Sequence, residues 1–220
     1  MEPHLQHEID KLHLTLLEMA AHVDKAVENA QRSLLERDAD LAQQVIDEDK
    51  VINGLECQID ADSLRLLALT QPMARDLRLI VGIMRITGNL ERLGDEAVNI
   101  SERSMLLALR PPLPFHAILQ RMCAHSMEML RSAIKALKDE DVELAEHVCA
   151  MDTSLNEQDI LLLRKLIDYM LKDTPAIERS VHTILVSRSL ERIGDLSQNI
   201  AEIVIFITRG VDIKHHCGRI

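Results

Sequence analysis

The sequence predicts an all-α protein built from two tandem repeated three-helix bundles, with six long helices in total. Two observations predict the helices. Apolar residues recur at steps of three and four along almost the whole chain, and helix-breaking prolines and glycines are few. A third observation, a motif that occurs twice in the same context, predicts the duplication. One tyrosine and two phenylalanines are the only aromatic residues, so the core must consist of aliphatic side chains, which suit packed helices.

The breakers justify each helix in turn. No proline or glycine lies between the first two helices, so their boundary is placed from the spacing of apolar residues, and Pro72 ends the second helix. The third helix lies between Pro72 and the prolines of segment 111–114, and the fourth and fifth lie between that segment and Pro175. The sixth begins at Pro175 and ends before Gly210. The predicted helices span residues 5–37, 39–69, 73–108, 115–138, 141–171 and 175–209.

The duplication is carried by the motif Glu-Arg-Leu/Ile-Gly-Asp, which occurs at 91–95 and again at 191–195. In both places Asn-Ile and then Glu follow at the same distances. Further matches keep the same order: 19–22 with 122–125, 41–42 with 144–145, and 49–53 with 152–156. We therefore expect a first three-helix unit at 1–110, a second at 115–210, and a flexible tail at 211–220.

Charge and cysteine usage limit the class of protein. The formal net charge of −11 argues against a nucleic-acid partner. The four cysteines are scattered without a CxxC pair, so neither a disulfide framework nor a thiolate zinc site is indicated. The longest aliphatic stretches, such as 203–207, are too short to span a bilayer, and the N-terminus lacks an apolar signal core. We expect a soluble cytoplasmic protein without membrane insertion.

Acidic and amide side chains form polar rows on four of the predicted helices. The rows of the third and sixth helices are Glu91, Asp95, Asn99 and Glu102, and Glu191, Asp195, Asn199 and Glu202; those of the second and fifth are Asp49, Asn53, Glu56 and Asp60, and Asp152, Asn156 and Asp159. Like charges four residues apart destabilise a helix by a few tenths of a kcal/mol per pair, so a compensating partner is expected. Facing rows would form an oxygen-rich cage for magnesium, manganese, calcium or iron, with zinc also possible. Pairing with arginines and simple solvation of the rows are the alternatives.

Other repeated residues favour structural roles. Gly94 and Gly194 stand inside helices at a cost of about 1 kcal/mol each, which indicates close approach of a neighbouring helix. His22 and His125 recur without an acidic residue at metal spacing, so we expect a buried or capping role. The segment 215–217, His-His-Cys, could bind a metal, but a frayed terminus is the simpler interpretation.

At the repeated motif the chain resembles the PhoU family of phosphate-transport regulators. The resemblance also covers segments 71–78, 49–53 and 186–195. It implies two fused three-helix bundles, each holding a cation or a multinuclear metal cluster, with iron, zinc, manganese or magnesium as the candidate metals. The ligands that the resemblance implies are Asp49, Glu91 and Asp95 in the first unit and Asp152, Glu191 and Asp195 in the second.

The resemblance also implies a function. A member of this family would be a negative regulator of phosphate uptake and of the phosphate-starvation regulon. It would act as an adaptor between the nucleotide-binding subunit of the phosphate ABC transporter and a phosphate-sensing histidine kinase, and it would form a homodimer.

Catalysis finds no support in the motifs of the chain. A phosphate-binding Gly-rich loop, a nucleophile elbow, an HExxH helix and a kinase signature are all missing from the sequence. The alternative of a di-metal carboxylate enzyme or metal-storage protein would require Glu-x-x-His pairs, and the sequence contains none. A purely structural helical spacer is a third possibility, which leaves the duplicated carboxylates unexplained.

Overall fold

The structure is a computed structural model that describes residues 3–211, without the side chains of residues 3, 4, 152 and 153. Its helices are α1 Pro3–Glu36, α2 Ala39–Thr70, α3 Ala74–Ala108, α4 His116–Asp139, α5 Val142–Met170 and α6 Ile177–Arg209. The predicted all-α class and the six predicted helices are confirmed. Apart from Val211, the predicted tail at 211–220 lies outside the described residues, and so does the segment 215–217.

The start of α6 is the one place where a predicted element has a different form. A short 3₁₀ turn, Thr174–Ala176, precedes the α-helix, which begins at Ile177 and not at Pro175. Proline has no N–H to donate and is tolerated in the first turn of a helix, so the turn places Pro175 where that loss costs little.

The turn between the first two helices of each unit is duplicated. Asp38 caps α2 and Asp141 caps α5, and each side chain accepts a hydrogen bond of 3.0 Å from a backbone N–H three residues later. The residue before each cap has a positive φ, 61° at Arg37 and 50° at Glu140. The internal repeat therefore extends from the motifs to the backbone conformation of a turn.

The helices pack as two groups joined along one seam. α1, α2 and α3 contact each other, as do α4, α5 and α6, while α3 packs against α6 and α1 against α4. Glu96 pairs with Arg192, and a methyl group added at Gly82 would clash with Ile207. Gly82, near the start of α3, therefore meets Ile207 near the end of α6, whereas Glu96, further along α3, meets Arg192, which comes earlier in α6. The two helices are thus antiparallel.

One continuous apolar core fills both groups. It contains buried residues from all six helices, and a buried hydrogen bond of 3.0 Å from Gln31 Nε2 to Ser126 Oγ joins α1 to α4. Helices α1–α3 fall within the predicted unit 1–110 and α4–α6 within 115–210, while the boundaries themselves stay a prediction. None of the described helices combines the length and the apolar character needed to cross a bilayer.

Candidate metal site

The two copies of the motif take the same orientation in their helices. In each, the glutamate is half-buried, the arginine and the aspartate are exposed, and the two residues between them are buried. Leu93 and Ile193 occupy the central apolar position and are fully buried. The carboxylates of both motifs therefore lie at the border between core and solvent, where charge is partly shielded from water.

The motif glycines bring a second helix close to each motif. A Cβ at Gly94 would lie 3.2 Å from Asp49 Oδ1 and 3.2 Å from Ile52 Cδ1 on α2. A Cβ at Gly194 would lie 2.6 Å from Leu155 Cδ2 on α5. The predicted close approach of a neighbouring helix is confirmed at both glycines, and at Gly94 it places an aspartate against the motif.

Five carboxylates of α2 and α3 form what we call the first acidic cluster. Its members are Asp49, Glu56, Asp60, Glu91 and Asp95. Burial raises the pKa of Glu91, and the charges of Asp95, Glu56 and Asp49 raise it further, whereas Arg92 opposes them. Burial likewise raises the pKa of Glu56, with added repulsion from Asp60 and Asp95. The cluster thus stores electrostatic repulsion that a bound cation would relieve.

Asp49 is the most constrained member of the first acidic cluster. Its Oδ2 accepts a hydrogen bond of 2.8 Å from Asn53 Nδ2, while its Oδ1 is buried and has no hydrogen-bond partner among the described residues. Burial raises the pKa of Asp49, the Asn53 hydrogen bond lowers it, and the charge of Asp95 raises it again. A buried carboxylate oxygen without a donor is an unusual group, and its chemistry fits a ligand to a hard cation.

The predicted ligands of the first unit are therefore brought together, although not as a finished coordination shell. Asp49, Glu91 and Asp95 influence one another electrostatically. As the side chains stand, no three His, Cys, Asp or Glu residues in the described part of the chain converge to hold a metal ion. Glu56 joins the cluster but was absent from the predicted ligand set. Its position seven residues after Asp49, two helical turns along the same face, was the available signal.

The second unit does not reproduce the first. Glu191 is half-buried and Asp195 is exposed, as in the first motif, while the side chain of Asp152 lies outside the described atoms. Asp159, the repeat counterpart of Glu56, is 3% exposed. Its Oδ1 accepts a 2.5 Å hydrogen bond from Ser187 Oγ, and its Oδ2 lies 3.1 Å from Arg188 Nη1.

Asp159 is therefore a buried, arginine-paired member of its row and not an exposed ligand for a cation. The reason lies on α6, where Arg188 occupies the position that Gly88 occupies on α3. Glycine supplies no cation, so Glu56 keeps an electrostatic environment of carboxylates, whereas Asp159 has an internal counter-ion. Pairing with an arginine, one of the two alternatives to metal binding, holds at this residue.

The polar rows of α3 and α6 also differ in the burial of their last residues. Glu102 is exposed, whereas Glu202 is 8% exposed and accepts a 3.2 Å hydrogen bond from Gln198 Nε2. Residues 203–205 of α6 are Ile, Val and Ile, and all three are buried. This apolar run turns the end of α6 into the core, so the predicted equivalence of Glu102 and Glu202 is wrong.

The two repeated histidines have different environments. His22 is exposed in the middle of α1, so the predicted buried or capping role is wrong for this residue. His125 is half-buried, and its Nδ1 lies 2.9 Å from Ser154 Oγ of α5. The repeat counterpart of Ser154 is Val51, which offers no polar group, and this explains why only His125 links two helices.

Comparison with known proteins matches one family across both halves. A family model described as "PhoU domain" matches residues 16–104 and again residues 119–204. A "Phosphate-specific transport system accessory protein PhoU homolog" of Pseudomonas putida is 39% identical over 94% of this chain and 82% of that protein. The "Phosphate-specific transport system accessory protein PhoU" of Escherichia coli K12 is 30% identical over 96% of this chain and 88% of that protein.

Solved structures agree with these matches. A crystal structure of PhoU from Pseudomonas aeruginosa is similar with a TM-score of 0.91 at 37% identity, covering 94% of this chain and 99% of that one. A phosphate transport system regulatory protein PhoU from Streptococcus pneumoniae is similar with a TM-score of 0.86 at 25% identity, covering 94% of this chain and 98% of that one. The similarity thus spans both three-helix groups together.

Proposed function

Since this chain belongs to the PhoU family, we propose that it is a negative regulator of phosphate uptake and of the phosphate-starvation response, and not an enzyme. The family match over both halves is the observation that carries this proposal. The relatives described above are named accessory or regulatory proteins of phosphate transport. The di-metal enzyme or metal-storage alternative would require Glu-x-x-His pairs, which the sequence lacks.

The regulator would bind metal at its acidic residues. In the first unit, Asp49, Glu91 and Asp95 would be the ligands, and Glu56 would share the same ion or a neighbouring one. The buried, unpartnered Oδ1 of Asp49 and the mutual repulsion within the first acidic cluster support this assignment. In the second unit the ligands would be Asp152, Glu191 and Asp195. A bound iron, zinc, manganese or magnesium ion would neutralise the carboxylates and tie α2 to α3 and α5 to α6.

Exposed apolar side chains support a role in protein contacts. On and beside the turn between α2 and α3, including the adjoining helix ends, lie Leu64, Leu69, Met73 and Leu77. On and beside the turn between α5 and α6 lie Ile167, Leu171, Ile177 and Val181; all eight are more than 40% exposed. Contiguous exposed apolar patches mark protein–protein interaction sites, and these side chains are the candidates for such patches. Because α3 and α6 are antiparallel, the two turns lie at opposite ends of the molecule.

The partners would be those of a phosphate-signalling adaptor in the cytoplasm. One is the nucleotide-binding subunit of the phosphate ABC transporter, and the other is the phosphate-sensing histidine kinase. A homodimer would be the working form. The family match and the two apolar turns support these assignments.

The test combines a deletion strain with metal analysis. Deletion should cause a phosphate-starvation reporter to be expressed in phosphate-rich medium, and the wild-type gene should restore repression. Normal repression in the deletion strain would refute the regulatory role. Purified wild type should carry metal that falls stepwise in Glu91→Ala/Asp95→Ala and Glu191→Ala/Asp195→Ala, and a wild type without metal would refute the metal sites alone.

A further inference from the structure

A cavity of about 220 Å³ lies on the seam between α3 and α6, and none of its lining residues belongs to the first acidic cluster. Its lining residues are Glu96, Asn99 and Arg103 of α3, and Leu185, Arg188, Ser189 and Arg192 of α6. Three of the seven are arginines, in a chain whose net charge is −11. A cationic cavity in an acidic protein requires a physical explanation, because the general electrostatics of the chain oppose it.

Two of the three guanidinium groups are held in place by ion pairs with buried carboxylates. Arg192 Nε lies 3.2 Å from Glu96 Oε1, and Arg188 Nη1 lies 3.1 Å from Asp159 Oδ2. The side chains of Glu96 and Asp159 are 10% and 4% exposed, whereas those of Arg192 and Arg188 are 57% and 56% exposed. Each guanidinium has five N–H donors, so fixing one nitrogen leaves others for the cavity.

Arg103 is different from the other two. It is half-buried and makes no ion pair or side-chain hydrogen bond among the described residues, although it lines the same cavity. The three guanidinium charges thus exceed the charges of Glu96 and Asp159. Asn99, whose Nδ2 donates to Glu96 Oε2 at 3.2 Å, and Ser189 add polar groups to the wall. The cavity has a cationic surplus and spare donors, the two properties that an oxyanion site needs.

The internal repeat shows that this cavity is not a by-product of duplication. The repeat counterparts of Arg103, Arg188 and Glu96 are Ile203, Gly88 and Leu196. The equivalent place on the other side of the α3–α6 seam therefore lacks these three charged residues, although it keeps two arginines, Arg92 and Arg85, as the counterparts of Arg192 and Leu185. The duplicated motif keeps its carboxylates in both units, while the combination of three arginines with a buried glutamate occurs on one side only.

We infer that this cavity binds inorganic phosphate. The arginines would donate hydrogen bonds to the phosphate oxygens in charge-assisted pairs. Glu96 distinguishes phosphate from sulfate, because phosphate keeps a proton near neutral pH and can donate it to a carboxylate, whereas sulfate cannot. A carboxylate facing a fully deprotonated anion repels it. The regulatory meaning of the site rests on the proposed function, but binding itself does not.

The experiment is calorimetric titration of the full-length, metal-free protein with potassium phosphate and, separately, with potassium sulfate at equal ionic strength. Metal is removed so that phosphate held by an ion in the acidic cluster does not contribute. Wild type should bind one phosphate and prefer it to sulfate. Arg103→Gln should weaken phosphate binding by about 10- to 100-fold, since it removes a charged donor that takes no part in the described ion pairs.

Two further variants make the test specific. Arg121→Gln on α4 removes the same charge from an exposed site outside the cavity and should leave phosphate binding unchanged. Glu96→Gln should narrow the preference for phosphate over sulfate. Thermal unfolding of each variant reports whether the fold is retained, and Arg103→Lys should recover part of the binding if charge at this position is what matters.

Each outcome decides the inference. Absence of phosphate binding at millimolar concentration, equal weakening by Arg103→Gln and Arg121→Gln, or equal binding of sulfate would each overturn it. If binding is absent while the deletion strain loses repression, the site fails and the regulatory function stands. If phosphate binds as expected while the deletion strain represses normally, the function fails and the site stands.

Discussion

Arg192 Nε lies 3.2 Å from Glu96 Oε1, so the second copy of the motif is ion-paired to the residue directly after the first copy. The pair crosses the α3–α6 seam and places both motif segments at the same level of the antiparallel helix pair. The side chain of Glu96 is 10% exposed. A carboxylate this buried depends on its partner, because water reaches little of it.

Replacing Arg192 should therefore destabilise the protein more than replacing its repeat counterpart. We expect Arg192→Gln to lower the free energy of unfolding by about 1–3 kcal/mol, the usual cost of leaving a buried charged group short of a hydrogen bond. Arg92→Gln, the same change at the same motif position, should stay within about 0.5 kcal/mol because Arg92 makes no ion pair with a buried carboxylate among the described residues. Urea denaturation measures both, and equal losses would contradict the assigned role of the pair.

Replacing two helix glycines by alanine should change the free energy of unfolding in opposite directions. Gly54 lies in α2 with no atom within 4 Å of a Cβ, so Gly54→Ala should stabilise the protein by about 1 kcal/mol through helix propensity. A Cβ at Gly194 would be 2.6 Å from Leu155 Cδ2 in the core, where overpacking costs about 1–3 kcal/mol. Gly194→Ala should then be neutral to destabilising, and Gly194→Val clearly destabilising. Chemical denaturation that finds Gly194→Ala as stabilising as Gly54→Ala would refute the close helix contact.

Glu91 gives a prediction that disappears at low pH and changes sign with metal. Because burial and neighbouring carboxylates raise its pKa, the charged form costs stability in the metal-free protein at neutral pH. Glu91→Gln should therefore stabilise the metal-free protein by a few tenths of a kcal/mol, a small value because Glu91 is partly exposed and screened. That advantage should be lost as the pH falls through the raised pKa and below the ordinary value of 4.5.

Saturating manganese should reverse the order at neutral pH. A ligand that binds only the folded state stabilises it by about 2.7 kcal/mol at one hundred times its Kd, and Glu91→Gln would forfeit part of this gain. Thermal unfolding with and without manganese measures both signs. Glu128→Gln, an exposed glutamate of α4, is the control and should show neither effect. If manganese raises the Tm of wild type and Glu91→Gln equally, Glu91 is not a ligand.

The ion pair of Asp159 predicts a rescue. Arg188→Gln leaves the Asp159 carboxylate, which is 3% exposed, with the Ser187 hydrogen bond as its one remaining partner among the described residues, at a cost of about 1–3 kcal/mol. The double variant Arg188→Gln/Asp159→Asn should recover most of the loss, because the buried charge is removed. Arg164→Gln on the exposed face of α5 should be nearly neutral. A double variant no more stable than Arg188→Gln would show that Asp159 does not need its counter-ion.

The helices could be predicted from the sequence because breakers and periodicity are local properties. Pro72, the prolines of 111–114 and Gly210 place most helix ends, and the predicted bounds lie within two residues of the observed helices. The close approach of a neighbouring helix to Gly94 could be predicted for the same reason, since a glycine inside a helix has a local cost that a close neighbour explains.

The contacts across the seam could not be predicted in this way. The duplicated motif is symmetric in the sequence, yet Arg192 faces Glu96 of the other unit, and Asp159 is paired while Glu56 is not. These differences depend on which face of α3 meets α6, and on single substitutions such as Arg188 in place of Gly88. A pattern of spacings carries no information on either.

The continuous core has a consequence for how the chain unfolds. Ile203 and Ile207 of α6 cover Gly82 of α3, and Gln31 bonds Ser126 in the interior, so neither half has a complete interior of its own. Two independent halves would melt separately, whereas halves that share one interior melt together. We therefore expect a duplicated chain of this form to unfold as a single cooperative unit, in which damage to either copy lowers the stability of both.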